Sequence, residues 1–151
     1  IEANIAEYDR ILSRMAKTDH RSQRLMELKG VGPTTACALV ASIGNAHDFK
    51  NGRQLAAWLG LTPSQYSSCG KSNLGRITKA GDSYLRTFLV QGGRSVLIGA
   101  EKKTDSFSRW VCSLIERRGY WRAVVAIAVK NARLCWASLH YGDDVRLYSA
   151  S

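Results

Sequence analysis

The apolar residues Ile1, Ile5, Tyr8, Leu12 and Met15 recur at steps of four, three, four and three. That is a heptad seam, which predicts a coiled coil or a long helix laid on a partner, with an ordinary amphipathic helix as the alternative. So short a seam does not stand alone, and it reads as the stub of a longer helical connection. Next, "RLMELKGVGPTTACALVASIG" predicts two helices joined by a sharp turn. Leu25 to Lys29 closes the first helix, Gly30-Val31-Gly32 turns, and Pro33 suits the first turn of the second. Ala36, Leu39, Val40 and Ile43 line that second helix up to a cap at Gly44. "RQLAAWLG" gives a further short helix.

Pro63 then opens a strip of another kind, "SSCGKSNLGRITKAGD", crowded with hydroxyls, glycines and the cations Lys71, Arg76 and Lys79. No convincing period-two strand runs through it, although a short ribbon fits within it. Beyond it, Asp82 is a good N-cap for a helix with Leu85, Phe88, Leu89 and Val96 on one face. Gly92 and Gly93 fall inside that helix and cost roughly 1 kcal/mol each against Ala. Close backbone contact with a neighbouring helix is the expected compensation. "DSFSRWVCSLIERR" and "YWRAVVAIAVKNARLCWASLH" predict two last helices, separated at Gly119. The fold class is therefore mainly α: a compact helical domain with an N-terminal coiled-coil stub and two C-terminal helices. The expected organisation is a stub over 1–24, a core over 25–100 and packed helices over 101–151.

Composition changes this picture in one respect. Among 151 residues, 22 Lys and Arg oppose 12 Asp and Glu, a net charge of +10. That surplus favours a polyanionic partner, with nucleic acid ahead of an acidic membrane surface. No apolar run approaches the roughly 18 residues of a membrane span, and no lipidation or signal-peptide pattern is present, so no membrane role is expected. The four cysteines lie far apart, with no Cys-x-x-Cys pair, which argues against zinc and for reduced thiols in the cytoplasm.

The Gly-Val-Gly turn matches the helix-hairpin-helix pattern. Two glycines let the backbone turn without Cβ clashes, so amides of Gly30, Val31 and Gly32 and the following helix N-terminus can hold a phosphate without reading a base. A tight turn that only packs is the alternative. In the strip, Gly70 and Gly75 permit close backbone approach, while Lys71, Arg76 and Lys79 offer point charges to phosphates; a solvated loop is the plain alternative. Arg86, four residues after Asp82, is either a phosphate contact or an i,i+4 partner of that acid.

Three stretches carry a resemblance: "LKGVGPTTACALVASIG", "RQLAAWLGLTPSQYSSCGKSNLGRITKAGDSYLRTFLVQGGR" and "AVVAIAVKNARLCWASL". Together, from about Leu25 to Leu139, they resemble the C-terminal domain of the insertion-sequence 110/116/902 transposases, a family related to the pilin-gene invertases. The resemblance implies a serine that attacks the DNA backbone just ahead of a Gly-Gly-Lys. Here that region reads "SSCGK", so the matching residue is Ser68, with Ser67 its neighbour and Cys69 where the family has Gly. It implies Mg2+ held by carboxylates in a RuvC-like N-terminal domain that this chain lacks, and no cofactor in the chain itself. DNA at transposon ends and target, an element-encoded guide RNA and a second copy in the full-length protein are the implied partners. Lys130, Arg133 and Trp136 match the family's last helix motif and share one helix face. They suit phosphate contact and stacking, or a core Trp flanked by snorkelling cations. A non-catalytic helix-hairpin-helix module that tethers DNA or RNA is a second reading of the chain, and a guide-RNA platform whose cations mainly hold RNA is a third.

Overall fold

The structure, a computed structural model, describes residues 2–61, 63–68, 71–77 and 83–142, with side chains over 4–61 and 83–142. Seven helices and one two-stranded ribbon follow in order. They are α1 (Glu2–Thr18), α2 (His20–Met26), α3 (Pro33–Ile43), α4 (Gly52–Trp58), β1 (Pro63–Ser68), β2 (Lys71–Ile77), α5 (Ser83–Ala100), α6 (Ser106–Arg118) and α7 (Tyr120–Tyr141). The chain is mainly α, as the periodicity predicts, and the polar strip contributes the ribbon. No described helix is long and apolar enough to cross a membrane.

Local chemistry explains the boundaries. Asp19 ends the heptad segment and starts α2 by accepting the Arg21 N–H at 2.9 Å, a break the seam alone did not predict. Asn51 caps α4 by accepting from Gln54 N–H, and Asp105 caps α6 by accepting from Ser108 N–H. Gly119, with φ +88°, separates α6 from α7 at the expected place, where a residue with a Cβ would be strained.

Two apolar cores share the long helices α5 and α7. One gathers Leu25, Leu39, Leu55, Leu59, Leu85 and Leu89 against Ala128, Ala132, Cys135 and Trp136 of α7. The other joins Leu97 and Ala100 of α5, Val111 and Leu114 of α6, and Ala123, Val124 and Ile127 of α7. The expected compensation for the paired glycines is present. A Cβ on Gly93 would stand 2.7 Å from the Val124 carbonyl oxygen, so its absence lets α5 and α7 approach closely. Gly92 abuts the backbone of Gly30 in the loop between α2 and α3.

Of the heptad residues, Ile5, Tyr8 and Met15 are exposed, while α1 lies on α3, with the Cys37 thiol donating to the Leu12 carbonyl at 3.4 Å. Cys37, Cys112 and Cys135 are free thiols, and burial pushes the Cys135 thiol up to about 12, so it stays protonated.

Candidate nucleic-acid interface

The loop between α2 and α3 tightens before it turns. Glu27, Leu28 and Val31 donate to the carbonyls of Arg24, Leu25 and Leu28, and Gly30 follows the helix end at φ +94°. This geometry divides the three expected phosphate-binding residues. Gly30 serves the turn and the packing on Gly92. Val31 does not join an outward set of amides: its N–H is taken by Leu28, and its side chain is buried at 5% exposure. Gly32, the N-cap of α3, is exposed, and a Cβ there would meet nothing within 4 Å. The first amides of α3 lack intrahelical partners by construction, Pro33 has none to satisfy, and no acid occupies the first turn. Gly32 and that helix start are therefore the part of the loop left open to an approaching group.

Three tethers hold the loop. Asn131, fully buried on α7, donates from Nδ2 to the Lys29 carbonyl at 2.9 Å. Gly92 backs Gly30. Lys29 Nζ meets Asp105 Oδ2 at 2.7 Å, and Asp105 also accepts from the Ser108 hydroxyl at 2.7 Å. The Lys29 ammonium, then the Ser108 hydroxyl, hold the Asp105 carboxyl well below the usual carboxylate range. A depressed folded pKa stabilises the fold above the unfolded value near 3.9, and that stability is lost as pH falls below it. Asp105→Asn is thus expected to be less stable than the parent at neutral pH, with the gap narrowing below about pH 4. Urea unfolding of both chains across that range measures it; a constant gap would remove the charge from the account.

The ribbon grows from core residues at both ends: Leu59 and Leu61 precede it, and Leu85 and Leu89 follow. Its antiparallel register pairs Ser68 with Lys71, Ser67 with Ser72, Tyr66 with Asn73 and Gln65 with Leu74. Ser68 thus ends β1 directly opposite the first residue of β2, and only Cys69 and Gly70 lie between them in sequence. The register shifts between Pro63 and Gln65, where Gly75 and Arg76 oppose Ser64 alone. A bulge of this kind suits a glycine and bends the strand that carries it. Cys69, Gly70, Lys79 and Asp82 lie outside the described residues.

The cations of α7 part company. Lys130 Nζ stands 4.8 Å from the centre of the Trp110 ring on α6. Arg133 instead packs its backbone against Gly52, whose Cβ would lie 2.8 Å from the Arg133 Cα. It shares a cleft of about 330 Å³ with Asn51, Arg53 and Trp136. Trp136 is a core residue here: it is 7% exposed, donates from Nε1 to the Phe49 carbonyl at 3.1 Å and stacks on His140. Arg86 is half-buried on the first turns of α5. Arg53, which lines the same cleft as Arg133, carried no sequence signal, because only the packing of α4 on α7 brings the two residues to one cleft.

Residues 22–109 match the Transposase IS116/IS110/IS902 family. A probable family 20 transposase of Pseudomonas aeruginosa is 48% identical over 139 residues, which cover 92% of this chain and 41% of that protein. The transposase for insertion sequence element IS1111A of Coxiella burnetii is 45% identical over 142 residues, or 94% of this chain and 39% of that protein. The transposase for insertion sequence element IS1328 of Yersinia enterocolitica is 35% identical over 132 residues, 87% of this chain and 40% of that protein. The chain spans about two-fifths of the length of these curated relatives. A family pattern that covers more than half of the chain, and includes the α2–α3 loop and the ribbon, leads to one assignment: the chain belongs to the IS116/IS110/IS902 family of transposases.

Proposed function

We propose that this chain is the DNA-binding, serine-bearing segment of a transposase, and that Ser68 is the nucleophile in strand breakage and rejoining. One observation carries the reading: Ser68 is opposed by Lys71 in the ribbon register, inside the stretch matched by the transposase family. In the reaction the Ser68 oxygen bonds to a backbone phosphorus, and the bond from that phosphorus to one deoxyribose oxygen breaks. The serine proton passes to a base, and the departing sugar oxygen is protonated to a hydroxyl. The phosphorus gains negative charge on the way, which Lys71 and Arg76 offset. Rejoining reverses these steps with a different sugar hydroxyl.

The base and the Mg2+ expected with it belong to another part of the longer protein in this reading. Among the described residues no three His, Cys, Asp or Glu side chains come together, so these residues do not fit a metal cluster. Residues 1–24 then form the end of a coiled coil whose exposed Ile5, Tyr8 and Met15 meet a second copy. Residues 25–100 form the core with the helix-hairpin-helix, and 101–151 brace it. Gly32, the start of α3, Lys71, Arg76 and Lys79 contact the backbone of transposon-end and target DNA. Arg86, Lys130 and Arg133 extend that surface, an element-encoded guide RNA is a further partner, and the work is done in the cytoplasm. The open approach at Gly32 also suits a tethering module without chemistry.

Two experiments test the two halves of this reading. If Lys71, Arg76, Lys79 and the α3 amides contact about four phosphates, the log–log salt slope of duplex binding is expected near −3 to −4. Salt-independent binding would contradict it. The chemistry is tested by trapping a covalent protein–DNA adduct with Ser68→Ala and Ser67→Ala; a tethering module traps none.

A further inference from the structure

Trp121 is 62% exposed at the start of α7, and Tyr120 beside it is 40% exposed. Their rings meet edge to face, with centroids 5.2 Å apart. Arg94 reaches across from α5, its guanidinium carbon 5.8 Å from the Trp121 ring centre. Arg117 and Arg118 end α6 just before this turn, and Arg122 follows it; all are exposed. The other indoles of α6 and α7 are less open: Trp110 is half-buried and Trp136 belongs to the core. An exposed indole flanked by guanidinium groups combines a flat stacking face with charges suited to phosphates.

We infer that this turn is a stacking platform for unpaired bases of a nucleic-acid strand. Bases inside a duplex are already stacked on each other and do not reach a surface indole, whereas unpaired bases offer a free face to Trp121. The four arginines are suited to the phosphates on either side of a stacked base, with Glu116 an acid in the last turn of α6. A protein partner would need a matching acidic face around an apolar pocket. The inference rests on the reading that the chain handles nucleic acid, and it assigns single strands to the α6–α7 turn.

The test measures binding of the whole chain, by fluorescence anisotropy, to one sequence as single-stranded DNA, as single-stranded RNA and as duplex DNA. Trp121→Ala is expected to weaken single-strand binding about tenfold while duplex binding holds, and Trp121→Phe is expected to retain most of it. The exposure of Trp121 keeps the fold intact, which an unchanged thermal midpoint verifies. A loss confined to one of the two single strands identifies whether DNA or RNA is the occupant. Undiminished binding to both overturns the platform, as does an equal loss for the duplex, which would reduce the turn to general positive charge. The duplex arm in the parent chain reads the proposed function and the Trp121 comparison reads the platform, so the two fail separately.

Discussion

Replacing Ser68 by alanine in a full-length transposase that carries this chain is expected to abolish the covalent adduct with DNA, a fall of at least about 10³-fold in strand exchange. Ser67→Ala is expected to keep it. The size follows from what is removed. Without the oxygen no bond to phosphorus can form, and neighbouring charge does not substitute for an absent nucleophile. Lys71→Ala removes charge stabilisation alone, so the adduct should still form, at a rate lower by roughly 10²-fold. Radiolabelled DNA that migrates with the protein on a denaturing gel reads all three variants. An adduct that survives Ser68→Ala and disappears in Ser67→Ala would move the chemistry one residue along β1. Survival in both would leave the ribbon as a binding element only. Distinguishing adjacent serines is meaningful because the register gives them different partners, Lys71 for Ser68 and Ser72 for Ser67.

Sequence reasoning reached the helices most directly, because their signals are local. The Pro33 start of α3, its Gly44 end, the break at Gly119 and the buried row of Leu85 and Leu89 all follow from periodicity and from residues with special backbone needs. The glycine pair in α5 was legible in kind: interior glycines had to answer to a close neighbour. That the neighbours are the Gly30 loop and α7 depends on the tertiary arrangement. Other features had no local signal. The Lys29–Asp105 pair joins residues 76 apart, and the Asn131–Lys29 bond joins residues 102 apart. The motif on α7 drew attention to Trp136, which packs inward, while the exposed indole of that helix is Trp121, its second residue. The ribbon was legible only as a short polar segment, because its strands lack the apolar alternation that sets register in a half-buried sheet. Nothing in composition distinguishes Ser68 from other loop serines. The role proposed for it rests on the resemblance, with which Lys71 as its cross-strand partner is chemically consistent.

Gly92→Ala is expected to be among the most damaging single-methyl changes in the chain, destabilising it by about 2–4 kcal/mol. A Cβ on Gly92 would stand 2.9 Å from the Gly30 carbonyl carbon and closer still to its oxygen, and both are backbone atoms that cannot rotate away. The reverse contact is as tight, with a Cβ on Gly30 lying 2.9 Å from the Gly92 oxygen. Relief requires the α2–α3 loop to leave α5, which strains the Asn131 and Asp105 tethers on Lys29. In a chain of this size the thermal midpoint should fall by roughly 5–15 °C. Gly99→Ala, in the same helix with no atom within 4 Å of its Cβ, is expected to be neutral or to gain up to about 1 kcal/mol. The pair separates collision from helix propensity. Gly93→Ala adds a second control, because its Cβ meets the Val124 carbonyl of α7 rather than the loop. Well below the midpoint of either variant, Gly92→Ala should therefore weaken duplex binding while Gly93→Ala leaves it near the parent value. Circular dichroism melts and a binding isotherm at low temperature measure both effects. Equal affinity in the two variants would mean that the loop can move without disturbing duplex binding, and the helix start behind Gly32 would lose the part proposed for it.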